Sequence, residues 1–358
     1  MLPISVCIIS KNEEQYINEC LSRLIKYDWE IVVIDTGSTD RTIEIARSYT
    51  PSVFHFDWID DFSAARNYST TKASNDYILI VDCDEYLEDS PSIEETISTL
   101  PQLIPHGQVG MVKRRNSTPA LFGDSKEGTS DIIYDYAARF FHRGHAHFQG
   151  SIHEQLVSNV GAKLSFVPLP LCFHHIGYST LAIRSMKAHR NIGLLQQSLE
   201  HNSSDPYLCF QMGQSYFGIG DYANALPFFE RALSIDINEH EEYLQTLVES
   251  YGYSLLYLQK YQTALQLEGI YDTFSKRSDF VFLMGLIYMN NARFEQAISA
   301  FLHATSIPNY AVEGVNSYKA FYNIGVIYEC TGNLTDAIFY YTRCGNYPPA
   351  LHRLEVIK

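Results

Sequence analysis

The stretch Tyr77 to Leu87 reads YILIVDCDEYL, and its reading decides the fold. Ile78 to Val81 follow Tyr77 as an aliphatic, β-branched run, the composition of a strand buried on both faces. The run ends in Asp82-Cys83-Asp84-Glu85, so the acids stand at its carboxyl end, where open α/β sheets bind ligands. Alternation along an extended segment predicts Asp82 and Asp84 on one side and Cys83 on the other. Two carboxylates aimed at one point make a hard oxygen site for Mg²⁺ or Mn²⁺, ions that complete their shell with water and substrate phosphates. The same short pattern also fits a strand that ends in a solvated acidic turn, so the surrounding sequence has to choose between the two.

Working outward, strand-like runs alternate with helical spacing. Ile4 to Ile9 stops at Ser10-Lys11-Asn12-Glu13-Glu14, and Tyr16, Ile17, Cys20, Leu21, Leu24 and Ile25 then recur at helical intervals. Glu30 to Ile34, the loop Asp35 to Asp40 and a helix from Arg41 to Tyr49 repeat the unit. Val53 to Phe56, a helix from Phe62 to Lys72 and the Tyr77 strand complete it, which predicts a parallel sheet with right-handed crossovers and loops gathered at one edge. No G-x-G-x-x-G or G-x-x-x-x-G-K-[ST] cradle exists, so phosphate charge must be met by a metal. Asp35 at a strand end suits a hydrogen bond to a base or ribose and equally suits a capping Asx turn.

Four ordered motifs, ISVCIISKNEE, EIVVIDTGSTDRT, DDFSAARNYS and YILIVDCDEYL, resemble the nucleotide-sugar domain of the inverting family-2 glycosyltransferases of GT-A, Rossmann-like fold. The resemblance covers roughly Ile4 to Leu87. It implies a donor site with Ser10, Asn12 and Glu13 in the first loop, Asp35 on the base of a UDP-sugar, Arg66 and Asn67 lining the pocket, and Asp82 and Asp84 on ribose and metal. Mn²⁺ or Mg²⁺ is the implied cofactor.

Beyond the acids, Ser90-Pro91 opens a packing helix with Ile93, Ile97 and Leu100 as its stripe. Val109 to Arg114 and Ile132 to His142 read as strands around a polar stretch, Asn116 to Ser130, that either covers an acceptor or is disordered. Inverting transfer needs one general base opposite the leaving diphosphate. Glu154 is the first candidate and Asp135 the second. YDYAARFFHRG, GSIHE and HHIGY resemble the tetratricopeptide-linked branch of the family, which implies Glu154 as base and His175 as a late metal or diphosphate ligand. No G-x-S-x-G elbow or cysteine pair with metal spacing supports a hydrolase triad or structural zinc.

From Ser179 the pattern is helical throughout. Gly213, Gly252, Gly285 and Gly325, spaced by 39, 33 and 40 residues, are followed after three positions by Tyr216, Leu255, Tyr288 and Tyr328 and after twelve by Ala225, Ala264, Ala297 and Ala337. These spacings bracket the tetratricopeptide period, with the second repeat degenerate. Small residues let paired helices approach, and Phe229, Phe301 and Tyr341 fill the gap. A capping helix is expected after Pro348-Pro349. The boundaries read as 1–178 for the α/β domain, 179–204 for a helical linker and 205–358 for an all-α solenoid, whose concave face would take an extended peptide.

Composition bounds the function. A length of 358 residues exceeds one comfortable core, and a net charge of −15 supplies no basic field for long nucleic acids. Seven scattered cysteines without a C-x-x-C pair, no leader and no membrane-length apolar run point to a reducing cytoplasm. The reading is an enzyme: a metal-dependent inverting transferase that moves a hexose or N-acetylhexosamine from a UDP-sugar to a peptide or protein acceptor on Cys or Ser/Thr. Within the family, the sublancin-type bacteriocin peptide transferases are the resembling group. The alternatives are transfer to a lipid-linked or polysaccharide glycan and an inactive scaffold whose repeats recruit a partner; homo-oligomerisation is left open.

Overall fold

The computed structural model describes residues 3–90, 93–104, 107–119, 130–177, 181–238 and 241–357. The chain divides into two compact units at Arg184/Ser185. In the first, β1 (Ile4–Ser10), α1 (Ile17–Leu24), β2 (Glu30–Asp35), α2 (Thr42–Tyr49), β3 (Val53–His55), α3 (Phe62–Lys72) and β4 (Tyr77–Ile80) form the alternating half. After it come β5 (Glu85–Leu87), α4 (Ile93–Leu103), β6 (Gln108–Pro119), β7 (Ser130–His142), β8 (Ala146–Gln149), β9 (Gln155–Ser158) and β10 (Ser165–His175).

β1 is central because Ile4, Val6 and Ile8 face one layer and Cys7 the other, all essentially water-free. One layer packs Ile17, Cys20, Leu21 and Leu24 of α1 and Ile93, Ile97 and Leu100 of α4 against the sheet. On the opposite face lie Ala73, Tyr68 and the β8–β9 hairpin through Ala146, Phe148 and Leu156. Asp61 caps α3 by accepting from the Ala64 amide at 2.9 Å.

The sheet runs β3-β2-β1-β4-β7-β6-β10-β5. Its first four strands are parallel, as the alternation predicts, but β7 pairs antiparallel with both β4 and β6, so the sheet is mixed. The strand expected to end at Arg114 continues to Pro119, pairing along β7 as a long hairpin; much of the intervening polar stretch lies outside the described residues. Likewise Pro91 and Tyr178, read into motifs above, lie outside them.

Residues 82–85 also depart from expectation. Asp82 to Asp84 do not continue the strand: the Glu85 amide, at the start of β5, donates to the Asp82 carbonyl at 3.0 Å and closes a turn. The reason is topological, since β5 leaves the line of β4 to pair with β10 at the far side of the sheet. That pairing sets His175 opposite Glu85.

Helix α5 (Leu181–His201) spans the division between the units. The second unit stacks α6 (Pro206–Phe217) on α7 (Tyr222–Leu233), α11 (Ser278–Asn290) on α12 (Phe294–Ser306) and α13 (Tyr318–Cys330) on α14 (Leu334–Arg343). Between them α8 (Glu242–Tyr257) meets a broken partner: α9 (Tyr261–Ala264), a 3₁₀ segment Leu265–Ile270 and α10 (Tyr271–Phe274). This is the degenerate repeat, with Leu267 where the other pairs hold an aromatic ring. α15 (Pro348–Ile357) begins at the expected prolines. Among the described residues no helix is long and apolar enough to cross a membrane.

The repeat glycines are close-approach positions. A methyl on Gly285 would meet the Phe301 ring at 2.6 Å, and one on Gly325 the Tyr341 ring at 2.6 Å, while one on Gly193 of α5 would meet nothing within 4 Å. Helix propensity alone favours alanine at each by about 1 kcal/mol. Gly193→Ala is therefore expected to stabilise slightly and Gly285→Ala to destabilise by about 1–3 kcal/mol, opposite signs that urea titration of the two variants reads directly.

Candidate active site

The loops after β1 and β2 hold each other. The Asn12 amide donates to Ser38 Oγ at 2.9 Å, Asn12 Oδ1 accepts from the Thr39 amide at 2.8 Å, and the Glu13 amide donates to Thr42 Oγ1 at 2.7 Å. Asn12 adopts φ of +55°, a conformation asparagine tolerates better than most residues. Ser10 is buried with its hydroxyl 3.4 Å from the Ile34 carbonyl. Ser10, Asn12 and Glu13 thus stand where β1 ends and its loop meets the loop after β2.

Asp35 makes the Asx turn weighed for it and keeps one oxygen open. Its Oδ2 accepts from the Gly37 and Ser38 amides at 3.0 Å each, an Asx turn, while its Oδ1 is buried without a partner. A buried acceptor left open is costly unless a ligand meets it. Asn67, expected in the donor pocket, has a structural task instead: its amide donates to the Phe148 carbonyl and accepts from the Phe148 amide, at 2.8 and 2.9 Å, stapling α3 to β8.

At the end of β4 an unbroken ion-pair chain crosses the sheet edge. Arg66 of α3 bridges Glu154 and Asp82, the latter at 3.0 Å. Arg139 of β7 bridges Asp82 at 2.6 Å and Glu85 at 2.9 Å. Arg114 of β6 reaches Glu85 at 3.4 Å and grips Asp135 with two bonds, at 2.7 and 2.9 Å. Both base candidates therefore belong to one network, at its two ends. Burial opposes the charge on Asp82, but Arg139 and Arg66 outweigh it and hold this carboxyl below its ordinary range. Burial likewise works against the charge on Arg66 and Arg114, and their carboxylate partners raise both above the usual value. Arg66 Nη1 and Arg139 Nε are buried donors without partners.

Both oxygens of Asp82 are thus taken by guanidiniums, which corrects the expectation that Asp82 and Asp84 act as an equivalent pair on one side of a strand. Asp84 turns to His175, whose Nε2 lies 3.5 Å from Oδ1, and the Ile176 amide donates to the Asp84 carbonyl at 3.0 Å. Asn116 donates to the Ile133 carbonyl, which orients its Oδ1 toward His175 Nδ1 at 2.8 Å. That network places a proton on Nδ1 and sets Nε2 toward the carboxylate. Among the described residues no three His, Cys, Asp or Glu side chains form a metal-binding group. Cys20 lies against the turn, its thiol donating to the Asp82 carbonyl, and Cys83 is part of it; burial, with the surrounding acids, raises both thiols well above their ordinary value.

Sequence reasoning missed Arg139, Glu85, Arg114 and Asn116. For Arg139 a signal was present: a lone cation beside Phe140 and Phe141 in a strand that packs into the core.

Residues 5–150 match the profile "Glycosyl transferase family 2", and 206–239, 278–309 and 318–349 match tetratricopeptide repeat profiles. The chain carries a family-2 glycosyl transferase domain and tetratricopeptide repeats. A tetratricopeptide-repeat-containing protein of Synechococcus elongatus is 29% identical over 243 residues, 65% of this chain and 57% of the relative. The SPbeta prophage-derived glycosyltransferase SunS of Bacillus subtilis is 27% identical over 255 residues, 69% of this chain and 57% of the relative. The poly(ribitol-phosphate) beta-N-acetylglucosaminyltransferase TarS of Staphylococcus aureus is 29% identical over 127 residues, 32% of this chain and 21% of the relative. The chain spans little more than half the length of the first two.

A carboxyl held below its ordinary range lends the transferase domain stability above the unfolded value of about 4, and that stability is lost as pH falls. Asp82→Asn is expected to cost about 1–3 kcal/mol near neutrality by weakening its bonds to two guanidiniums, which then keep only Glu154 and Glu85 as carboxylate partners. In urea titrations the gap to wild type should narrow as pH falls below 4.

Proposed function

We propose that the chain is a metal-dependent inverting glycosyltransferase that moves a hexose or N-acetylhexosamine from a UDP-sugar to a Cys or Ser/Thr of a peptide or protein held by the repeats. The observation that carries the reading is the charge arrangement around residues 82–85. Asp82, Glu85, Asp135 and Glu154 face Arg66, Arg114 and Arg139, and Asp84 adds a further acid. Among these side chains five carboxylates stand against three guanidiniums. A divalent cation balances that surplus.

Asp84 and His175 are the residues that would hold the ion. A carboxylate and an imidazole nitrogen set toward one another are two donors suited to Mn²⁺ or Mg²⁺, with Asn116 fixing the ring as an outer partner. Bound there, the cation would neutralise charge on the departing diphosphate. Arg66, with Nη1 buried and unpartnered, supplies a second cationic donor for the same charge. Asp35 Oδ1 accepts a base N–H, which favours uracil over a base with no donor on that edge.

Glu154 is the base of choice. Arg66 holds its Oε1, and Oε2 takes no bond from that guanidinium, so one oxygen anchors while the other can accept the acceptor's proton. Asp135, by contrast, has both oxygens on Arg114. An acceptor thiol, with an ordinary pKa of about 8.5, asks little of such a base. Similarity to TarS favours a second reading, a polymeric glycan acceptor; intact-mass analysis of candidate peptides against polymer substrates separates the two.

Asp84→Ala is expected to abolish transfer and weaken UDP binding in Mn²⁺, measured by calorimetry and product mass; full activity would remove the metal role. Glu154→Gln is expected to leave donor binding intact and to slow transfer by about 10² to 10⁴ fold. Unchanged turnover would shift the assignment to Asp135.

A further inference from the structure

We propose that Arg139 is a positioning residue: with Glu85 it fixes Asp82, and through Arg66 it sets where Glu154 stands. The consequence for turnover rests on the transfer reading above. The consequence for stability rests on the ion pairs alone.

Glu154 lies in the loop after β8, behind His153 at φ of +51°. The loop's backbone is tied to the start of α3, where the Phe62 amide donates to the Ser151 carbonyl at 2.8 Å and the Ser63 hydroxyl donates to the Gly150 carbonyl. Its carboxylate is held by Arg66, and the other arm of Arg66 rests on Asp82. A planar guanidinium held at both ends has a fixed plane. Moving Asp82 therefore moves Glu154.

Asp82 belongs to a turn, and Glu85 clasps that turn at both backbone groups: its amide donates to the Asp82 carbonyl, and its Oε2 accepts from the Asp82 amide at 3.1 Å. The carboxylates of Asp82 and Glu85 meet at a single nitrogen, Arg139 Nη2. Glu85 is 1% exposed and Arg139 7%, so the Glu85 end of the pair is enclosed, while Asp82 keeps part of its side chain open; losing that nitrogen would leave the two carboxylates with only their separate arginines, Arg66 and Arg114, as cationic partners. Arg139 is itself buried: its strand pairs with β4 and β6 through Phe140 and with β6 again through Ala138, and the register shift between those two pairs leaves Arg139 as the bulged residue whose side chain meets the acids. It is the buried end of the linkage, and Glu154 the working end.

Arg139→Lys keeps the charge but offers a compact point donor in place of the fork, so the fold should survive while the linkage slackens. A misplacement of about 1 Å at a reacting group costs on the order of 10² fold in rate. The experiment is a cycle of Arg139→Lys, Glu154→Gln and their double variant in the full chain, read first by urea midpoint. Arg139 and Glu154 share no contact, yet the linkage predicts that the double variant's midpoint falls by less than the sum of the two single falls. A parallel cycle with Lys26→Gln, an exposed residue paired with Asp89, should be additive. In UDP-sugar turnover with Mn²⁺, Arg139→Lys should lose about 10² fold in kcat with donor KM changed less than about threefold.

Additive midpoints overturn the linkage, whether or not wild type consumes a sugar nucleotide. So does a folded Arg139→Lys protein with wild-type kcat. Non-additive midpoints in a wild type that consumes no sugar nucleotide uphold the linkage and overturn the transfer reading instead. If Arg139→Lys does not fold, Glu85→Gln enters the same cycle with the same expected outcomes.

Discussion

Asp82 sits between two guanidiniums, and much of the amino-terminal unit can be understood as the means of putting it there. Arg66 comes from a helix that a carboxylate caps, Arg139 from a strand inserted antiparallel into an otherwise parallel sheet, and Glu85 from a short strand that leaves β4 to pair at the far side. Three separate elements meet at one carboxylate. Burial makes each of these charges expensive alone and strongly interacting together, which is why such a cluster holds a defined geometry only when every member is matched.

The mixed sheet is what makes the cluster reachable. In a uniformly parallel sheet the residues after β4 would run on into another crossover helix. Here they turn, and the end of β10 arrives alongside, so Asp84 faces His175 while Asp82 faces the arginines. Two acids two residues apart thereby acquire different surroundings, one rich in cations and the other beside an imidazole. Their chemistry follows from the fold more than from the spacing between them.

How much of this was legible beforehand differs by element. The parallel half was readable because β1, β2 and β4 carry aliphatic runs that stop at polar clusters, and the repeats because glycine, aromatic and alanine recur at fixed offsets. Glu154, Asp135 and His175 were found as types of residue in suggestive motifs, yet nothing local says that one guanidinium joins Glu154 to Asp82, 72 positions earlier. Long-range pairing of this kind is set by strand order, and past β4, once the helices stop alternating, nothing local announces that order. Asn67 shows another gap: nothing local says that its amide staples α3 to the backbone of Phe148.

Cys20 and Cys83 carry a last implication. Cys20 lies against the turn that bears Asp82 and Asp84, Cys83 is part of it, and both are held as neutral thiols by the surrounding apolar packing and negative field. A neutral, enclosed sulfur neither attacks an electrophilic sugar nor captures a soft metal.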